Sequence, residues 1–402
     1  MIELLKIIGI LLAAVLMVNR KVNVALVLFA CAALTGLLFK ASAYDLLAAL
    51  LDTLKSWRTL NLIGIVVLMT LLGNLLKHLE NLRRIITALE NLLDDARIIV
   101  AAIPAFIGLM PMPGGAMMSA PFIREAGRSL KLSPEQNTLI NYWFRHVWEY
   151  AFPLYPALIL MSVILDVPIR KISIMMVPFT LLAILVGTVF YLLPVRRNSS
   201  GRRDTTSSIR ELFWDVSPVA SVIVLTLVLD IELLVSLIVT LAVYIIAARA
   251  PFDTVRKSFT ESKPAQLFIL IFSVMYFQTV IDLTGSVEAL PETFKALGIP
   301  LLLIVFAVPY IAGLMTGYTV GAVGITFPLI SFALTGSGVN YGFIMFAYLG
   351  GFLGVLSSPV HLCLVLSKDY FEADLGAVYR KLLPAVVLMA LTGVAFLLLG
   401  IV

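Results

Sequence analysis

Charged residues are scarce in this chain. They make up 13% of the 402 residues, whereas soluble domains carry about a quarter. Only two cysteines occur, Cys31 and Cys363, and they lie in apolar runs far apart in the chain. This spacing predicts neither a structural disulfide nor a metal site. The composition thus excludes an ordinary soluble domain and a small secreted domain held together by disulfides.

Catalytic signatures are lacking as well. The sequence contains no recognisable nucleophile–base set and no Gly-x-x-x-x-Gly-Lys-Ser/Thr nucleotide loop. We therefore expect a protein that is not an enzyme, that carries no cofactor and that does not hydrolyse ATP itself.

Apolar residues, in contrast, form 61% of the chain, and the mean hydropathy is +1.04. Runs of about 20 apolar residues recur along its length, as a membrane-spanning helix requires. The net charge is +5, and the basic residues lie in short connections, where they set the orientation of the protein in the membrane. We therefore expect no nucleic-acid partner. The prediction is an all-α, multi-pass protein of the plasma or inner membrane, surrounded by lipid.

One interrupted apolar segment occurs twice. The segment that begins Gly108-Leu-Met returns 205 positions later as Gly313-Leu-Met, and a shift of 206 carries Tyr142 onto Tyr348. Both copies are broken by glycine and proline. Paired, interrupted hydrophobic segments in the two halves of a membrane protein point to a transporter binding site.

Each half is predicted to contain five membrane spans and one re-entrant hairpin. The first half covers residues 1–193, a linker follows at 194–214, and the second half covers 215–402. The predicted spans are 2–18, 22–40, 58–78, 136–162 and 172–193, then 215–230, 232–249, 265–284, 341–367 and 382–402. The predicted hairpins are about 98–126 and 299–338. Because five is odd, the second copy enters the membrane upside down, as an inverted repeat.

Basic residues decide between a hairpin and a single crossing. Arg83, Arg84 and Arg97 precede the first broken segment, and Arg124 and Arg128 follow it. Cytoplasmic connections are rich in Lys and Arg, and a hairpin keeps both groups inside. The same rule places the linker inside and both chain termini outside.

Two short amphipathic stretches precede the broken segments. Leu82, Ile86, Leu89 and Leu93 keep a helical spacing before the first, and Val287, Leu290, Phe294 and Leu297 do so before the second. Such helices either lie in the membrane interface or pack on the protein as connectors. The sequence leaves both interpretations open.

Candidate binding backbone lies at the two hairpin tips. Irregular backbone at membrane depth persists only where protein covers it or where it lines a cavity. Amides at helix ends attract anions, freed carbonyls attract cations, and small residues let a ligand approach. The alternative is close helix packing through small residues. The candidates are Pro113, Gly114, Gly115 and Ala116 at the first tip, and Thr319, Val320, Gly321 and Ala322 at the second.

The fourth span of each half should also be broken. Pro153 and Pro156 interrupt the first, and Pro359, directly after Ser357 and Ser358, interrupts the second. Two broken helices opposite two hairpin tips would bring several half-helix ends to one site. The three residues of the second break are therefore further candidates for substrate or ion binding.

Arg145, His146 and Glu149 form the one cluster of ionisable residues inside a predicted span. Such residues are costly in a bilayer and mark functional sites. A continuous helix would place Arg145 and Glu149 on one face. The cluster either couples charge to transport, with His361 as a further proton carrier, or neutralises itself and only holds the bundle. A packing role is equally open for His361.

The two broken segments and the run 357–367 resemble the ion transporter superfamily of secondary carriers. That superfamily includes divalent anion/sodium symporters, citrate carriers and gluconate permeases. Residues 110–121 and 358–367 are most similar to an uncharacterised prokaryotic branch catalogued as a domain of unknown function.

The resemblance implies a homodimer that works by elevator-type alternating access. It implies a scaffold of residues 1–96 and 215–298 and a mobile transport domain of residues 97–193 and 299–402. The tips depart from those of the dicarboxylate carriers, which have Ser-Asn-Thr signatures where this chain has Pro113-Gly114-Gly115 and Thr319-Val320-Gly321. A dicarboxylate substrate and its usual sodium sites are therefore not implied.

The expected function is cation-coupled secondary active transport of a small organic anion. Arg145 and convergent helix N-termini favour an anion, while coupling to protons or to Na⁺ is open. A passive channel is the alternative, and an integral membrane enzyme is a less favoured one.

Overall fold

The computed structural model describes residues 2–110, 115–198, 206–336 and 338–401. Regular structure in these ranges is helical, apart from isolated β-bridge residues such as the pair Gly336 and Gly338. The first half contains α1 (Ile2–Asn19), α2 (Val24–Leu38), α3 (Ala43–Lys55), α4 (Trp57–His78), α5 (Asn81–Leu92), α6 (Ala96–Gly108), α7 (Ala116–Ser129), α8 (Pro134–Arg145), α9 (Pro156–Leu165) and α10 (Ile169–Gly187).

The second half contains α11 (Thr206–Ile223), α12 (Leu233–Ala247), α13 (Phe252–Glu261), α14 (Pro264–Thr284), α15 (Leu290–Ala296), α16 (Leu301–Thr316), α17 (Thr319–Leu334), α18 (Tyr341–Leu356), α19 (Leu362–Phe371) and α20 (Leu375–Leu398). Short π-helical segments, Thr188–Leu192 and Val224–Val228, continue α10 and α11.

Within the described residues, six stretches are long and apolar enough to cross a membrane, and a pair bent by 114° would make seven. The six are Ile2–Asn19, Trp57–His78, Ile169–Leu192, Ser208–Val228, Phe252–Thr284 and Leu375–Leu398, and the bent pair is α15 with α16. The prediction of a multi-pass helical membrane protein is confirmed. Of the ten predicted spans, α2 and α12 are apolar but have only 15 residues each, and each fourth span consists of two short helices.

Polar capping explains where several helices begin. Ser42 and Asp45 form a capping box at the start of α3, and Ser133 with Gln136 forms one at the start of α8. Helices α3 and α13 were not predicted, because their mixed polar and apolar composition fits neither a span nor a loop. Both connect neighbouring long helices.

The order of helices in the first half returns in the second, with α1–α10 matching α11–α20 one by one. The packing exchanges in the same way. Helix α2 packs on α14 and α12 on α4, α5 packs on α11 and α15 on α1, and α7 packs on α19 and α17 on α9. The predicted two-fold relation between the halves would produce such an exchange of partners, and it stays a prediction.

Individual contacts repeat as well. The tyrosine pair found in the sequence makes crossed hydrogen bonds: the Tyr142 hydroxyl donates to the Leu356 carbonyl at 3.0 Å, and the Tyr348 hydroxyl donates to the Glu149 carbonyl at 2.7 Å. Each tyrosine thus caps a helix break in the other half. The opposite insertion of the two halves in the bilayer stays a prediction.

The two short amphipathic helices form as predicted and turn their apolar side chains toward the protein. Leu82, Ile86 and Leu89 of α5 are buried, and so are Val287, Leu290 and Phe294 at α15, whereas Leu297, just after α15, is exposed. Of the two interpretations, packing as connectors accounts for this burial.

The ion pairs that join different elements near their helix ends fall into two sets. One set joins Arg58 to Asp166 and Arg170 to Asp230, and the other joins Lys77 and His78 to Glu261, Arg84 to Asp215, and Arg197 to Asp95. The first set belongs to the side predicted outside and the second to the side predicted inside. Which side is cytoplasmic stays a prediction.

Asp95 anchors the start of the first hairpin. Its carboxylate accepts from the Arg97 backbone amide and pairs with the Arg97 guanidinium at 2.7 Å, with Arg197 at 3.5 Å. The hydrogen bond from Arg97 holds the pKa of the Asp95 carboxyl below its ordinary value. This cluster ties the beginning of the linker between the halves to the beginning of α6.

Cysteine labelling tests the predicted hairpin. Asp94 and Arg128 flank it on exposed positions, and the native Cys31 and Cys363 are buried. We expect Asp94→Cys and Arg128→Cys to react with an impermeant maleimide from the same, cytoplasmic side. Asp230→Cys, on the predicted outer side, serves as the opposite control. Labelling of the first two from opposite sides would exclude a re-entrant hairpin.

Candidate functional site

The first break lies in the predicted fourth span, at its centre. Helix α8 ends at Arg145, residues 146–151 form turns, and Pro156 is the first residue of α9. The predicted break is confirmed, but it begins before the prolines. The His146 ring donates from Nδ1 to the Tyr142 carbonyl at 2.5 Å, where the next helical amide would otherwise bond, and the His146 amide turns to Trp143. Because α8 stops there, the expected helical face shared by Arg145 and Glu149 does not form.

The second break lies opposite the second hairpin tip. Helix α18 ends at Leu356, and His361 precedes α19 as its N-cap residue. Gly317 separates α16 from α17 with a left-handed φ of 60°. The His361 ring donates from Nδ1 to the Gly317 carbonyl at 2.7 Å, so the hairpin tip and the broken span hold each other in place.

These breaks border a cavity of about 160 Å³, which we call the central cavity. Its lining residues come from both halves and are Arg145, His146, Glu149, Tyr155, Pro156, Ala157, Gly317, Tyr318, Thr319, Val320, His361, Leu362 and Cys363. The first residues of α9, α17 and α19 are all among them. Three helix N-termini therefore converge on one cavity, where their amides favour negative charge.

Two histidines meet at the cavity wall. His146 comes from the first break and His361 from the second, and their Nε2 atoms are 3.0 Å apart. The Glu149 carboxylate lies 3.8 Å from His146 Nε2 and accepts from the Thr319 hydroxyl at 3.4 Å. The predicted charge cluster and the predicted second tip are thus brought together.

Arg145 is buried, with 3% of its surface exposed. Its guanidinium lies against Gly115, where a β-carbon would come within 2.6 Å of Nη2. Tyr155 lines the same cavity, and its hydroxyl donates to the Gly108 carbonyl at 2.5 Å. Arg145 therefore joins the first tip to the first break and supplies positive charge to the central cavity.

The other predicted residues lie around this cavity rather than in its wall. Gly321 and Ala322 are buried inside α17, and Ala116 begins α7. Ser357 and Ser358 are buried behind the second break, whereas Pro359 is exposed. Pro113 and Gly114 lie outside the described residues.

Sequence reasoning missed Cys363 and Tyr155 in the wall, and a buried amide behind it. The Asn141 side chain donates to the Ala116 carbonyl and to the Ser367 hydroxyl, each at 2.9 Å, and accepts from Ser119. The shift of 206 that relates the tyrosines also carries Tyr155 onto His361, which is a signal that could have identified Tyr155. Cys363 and Asn141 belong to no sequence pattern that would have identified them.

A second cavity, of about 350 Å³, adjoins the central one, and we call it the vestibule. It shares Pro156, Tyr318 and Val320 with the central cavity and extends between α4 and α14 to Glu261 and Lys263. Both of these charged residues are exposed. The vestibule therefore leads from the surface, on the side predicted to be cytoplasmic, to the central cavity.

No curated protein matches this chain significantly. A family described as "Protein of unknown function (DUF401)" has a model that matches residues 3–401, which is nearly the whole chain. The chain therefore belongs to the DUF401 family.

Proposed function

We propose that this protein is a cation-coupled secondary active transporter of a small organic anion. The observation that supports it most is the convergence of three helix N-termini and the buried Arg145 on the central cavity. A guanidinium presents a planar fork of donors that suits a carboxylate. Helix N-termini at broken spans are the usual partners of anionic groups in such carriers.

The size of the cavity fits a small solute. Its volume of about 160 Å³ is well above the roughly 10–15 Å³ that a single water needs, which leaves room for an acid of a few carbons. The Glu149 carboxylate can compensate a coupling cation beside the anion, and the two histidines can carry a proton. Coupling to protons or to Na⁺ is decided by experiment.

Alternating access is supported by an asymmetry in the packing. Helix α9 packs on α4, and α17 packs on α14. If the two halves were packed identically, α19 would pack on α14 and α7 on α4 in the same way. Among the described helices, these two contacts are weaker or missing. The vestibule reaches the surface at the end of this contact that carries Glu261 and Lys263. We infer a conformation open to one side. The proposal also includes the elevator movement and the homodimer.

A ligand screen followed by uptake tests the proposal. Purified protein is heated with mono-, di- and tricarboxylates, sugar acids, sulfate and phosphate, in sodium buffer and in sodium-free buffer. Ligands of the folded state raise the melting temperature by mass action. The stabilising anion should then accumulate in proteoliposomes against its gradient only while a proton or Na⁺ gradient is imposed. Equilibration without accumulation would instead indicate a passive channel.

Removal of the central positive charge should weaken anion binding. A hydrogen bond to a charged group contributes about 1.5–3 kcal/mol, so Arg145→Met should bind the stabilising anion about 10- to 100-fold more weakly. Arg170→Met is the matched control, since Arg170 lies at the surface in a pair with Asp230. Equal affinities of the two variants, measured by calorimetry, would remove Arg145 from the anion site.

A further inference from the structure

The arrangement of the two central histidines requires a positively charged species between them. Each Nδ1 contacts a backbone carbonyl, Tyr142 for His146 at 2.5 Å and Gly317 for His361 at 2.7 Å. A carbonyl can only accept, so each Nδ1 carries the proton. In a neutral imidazole the opposite nitrogen, Nε2, then carries a lone pair.

These two Nε2 atoms face each other at 3.0 Å. Two lone pairs at hydrogen-bond distance repel each other when no donor lies between them. Histidines that bind metal ions show this same pattern, with one nitrogen on the metal and the other ring N–H on a carbonyl or carboxylate. A shared proton would also relieve the repulsion, but it would need only the two imidazoles.

Further ligand atoms stand beside the pair. The nitrogen and sulfur atoms of His146, His361 and Cys363 all lie within 4.8 Å of one another, and all three residues are buried. The Glu149 carboxylate is 3.8 Å from His146 Nε2. A thiol and a carboxylate at this place favour a metal ion over a lone proton.

We propose that His146, His361, Cys363 and Glu149 form a binding site for a divalent transition-metal ion of the zinc class. Nitrogen and sulfur donors select zinc, cobalt or copper, whereas Mg²⁺ and Ca²⁺ prefer oxygen. This site goes beyond anion transport and does not depend on it.

The geometry needs little adjustment for zinc. With Zn–N of about 2.0–2.1 Å and Zn–S of about 2.3 Å, tetrahedral ligands place two nitrogens roughly 3.3 Å apart and nitrogen and sulfur roughly 3.6 Å apart. The two Nε2 atoms already lie 3.0 Å apart. The sulfur would move by on the order of 1 Å, which a rotation of the Cys363 side chain provides.

Charge also balances at this place. Cys363 is the second residue of α19, where the helix dipole favours a thiolate. The thiolate and the Glu149 carboxylate together compensate a divalent ion, although Arg145 is near. The ligands line the central cavity, which gives an ion a route to them. Sequence spacing could not predict this site, because its two histidines are 215 positions apart.

Cobalt provides the test, because its spectrum reports both thiolate ligation and geometry. We expect Co²⁺ titrated into the purified full-length protein to give a near-ultraviolet thiolate-to-metal band and intense visible bands typical of four-coordinate cobalt. One equivalent of Zn²⁺ should bleach both. A weak six-coordinate spectrum without the thiolate band would overturn the metal site and leave a proton between the imidazoles.

The chain contains matched controls for both ligand types. Cys363→Ser should abolish the thiolate band and His361→Gln should weaken Co²⁺ binding at least tenfold, whereas Cys31→Ser and His78→Gln should bind as the unmodified protein does. Equal losses in the control variants, or a thiolate band that survives in Cys363→Ser, would contradict the proposal.

A measurement without any variant covers the case in which these substitutions impair folding. Zn²⁺, but not Mg²⁺, should protect Cys363 in the unmodified protein from a small membrane-permeant maleimide, as read by peptide mass spectrometry. Equal labelling of Cys363 with and without Zn²⁺ would contradict the site. Since both readouts report binding alone, failure of the metal site and failure of anion transport are distinguishable.

Discussion

Gly317→Ala is expected to lower the melting temperature of the protein and to abolish anion accumulation, whereas Gly321→Ala should leave both close to the unmodified values. Gly317 ends α16 with φ of 60°, a conformation that costs other residues about 1–2 kcal/mol. A β-carbon there would also come within 2.9 Å of the His361 amide nitrogen, so the second break would have to shift.

Gly321 is the matched control in the same tip. It lies within α17, and the nearest atom to a β-carbon would be Thr316 Cβ at an ordinary 3.6 Å. Alanine is favoured over glycine inside a helix by about 0.5–1 kcal/mol, so Gly321→Ala should be neutral or slightly stabilising. Thermal unfolding in detergent and uptake in proteoliposomes measure the two effects. Equal melting temperatures of the two variants would mean that the left-handed tip is not required.

This contrast also shows how far the sequence predicts the second tip. Glycine and proline content predicted a hairpin at 299–338, and the structure places its two helices at α16 and α17. The sequence did not tell which glycine bears the strain. Gly317 and Gly321 look alike in sequence, and they are distinguished by the left-handed φ of Gly317 and by the approach of His361 from 44 positions away.

The candidate site was predictable only in part, for a physical reason. Duplicated breaks in apolar runs identify segments that must line a cavity, because unpaired backbone cannot face lipid. The structure brings Arg145, His146, Glu149, Thr319 and His361 to one cavity, all of them predicted candidates. The contact between the two histidines depends on how the halves pack, and no local pattern encodes it.

The end of α8 illustrates the same limit at the level of one side chain. Prolines predicted a break, yet the helix stops eight residues before Pro153, because the His146 ring takes the Tyr142 carbonyl. The helix propensities of single residues do not account for such a hydrogen bond. A ring that replaces a backbone amide is visible only once the surrounding packing fixes its orientation.

The second prediction of a large effect concerns the two conformations between which the transporter would alternate. On the side predicted outside, the Arg58 guanidinium donates to the Val163 carbonyl and lies 4.0 Å from Asp166, so α4 is closed onto α9 there. On the opposite side the vestibule separates the same layers. If the halves exchange conformations, the closed contact must move to the matching residues of the second half.

Those matching residues can be identified from the helix ends. Arg58 and Ala265 are the second residues of α4 and α14. Asp166 and Glu372 are the left-handed residues that end α9 and α19, with φ of 56° and 60°. We therefore expect Ala265 and Glu372 to approach each other in the alternate conformation. Both are exposed here, and so accessible to a reagent.

Cross-linking with a short, cleavable bis-maleimide tests this expectation. The double variant Arg58→Cys with Asp166→Cys should cross-link in the present conformation. The double variant Ala265→Cys with Glu372→Cys should cross-link only in the alternate conformation. The stabilising anion and its coupling ion should therefore change the two cross-linking yields in opposite directions. Either cross-link should reduce uptake to background, because a trapped carrier cannot cycle, and cleavage of the linker should restore it. Single-cysteine variants control for labelling alone. High yields of both cross-links in the same molecules, read by peptide mass spectrometry, would exclude an exchange between two closed ends and with it the proposed alternating access.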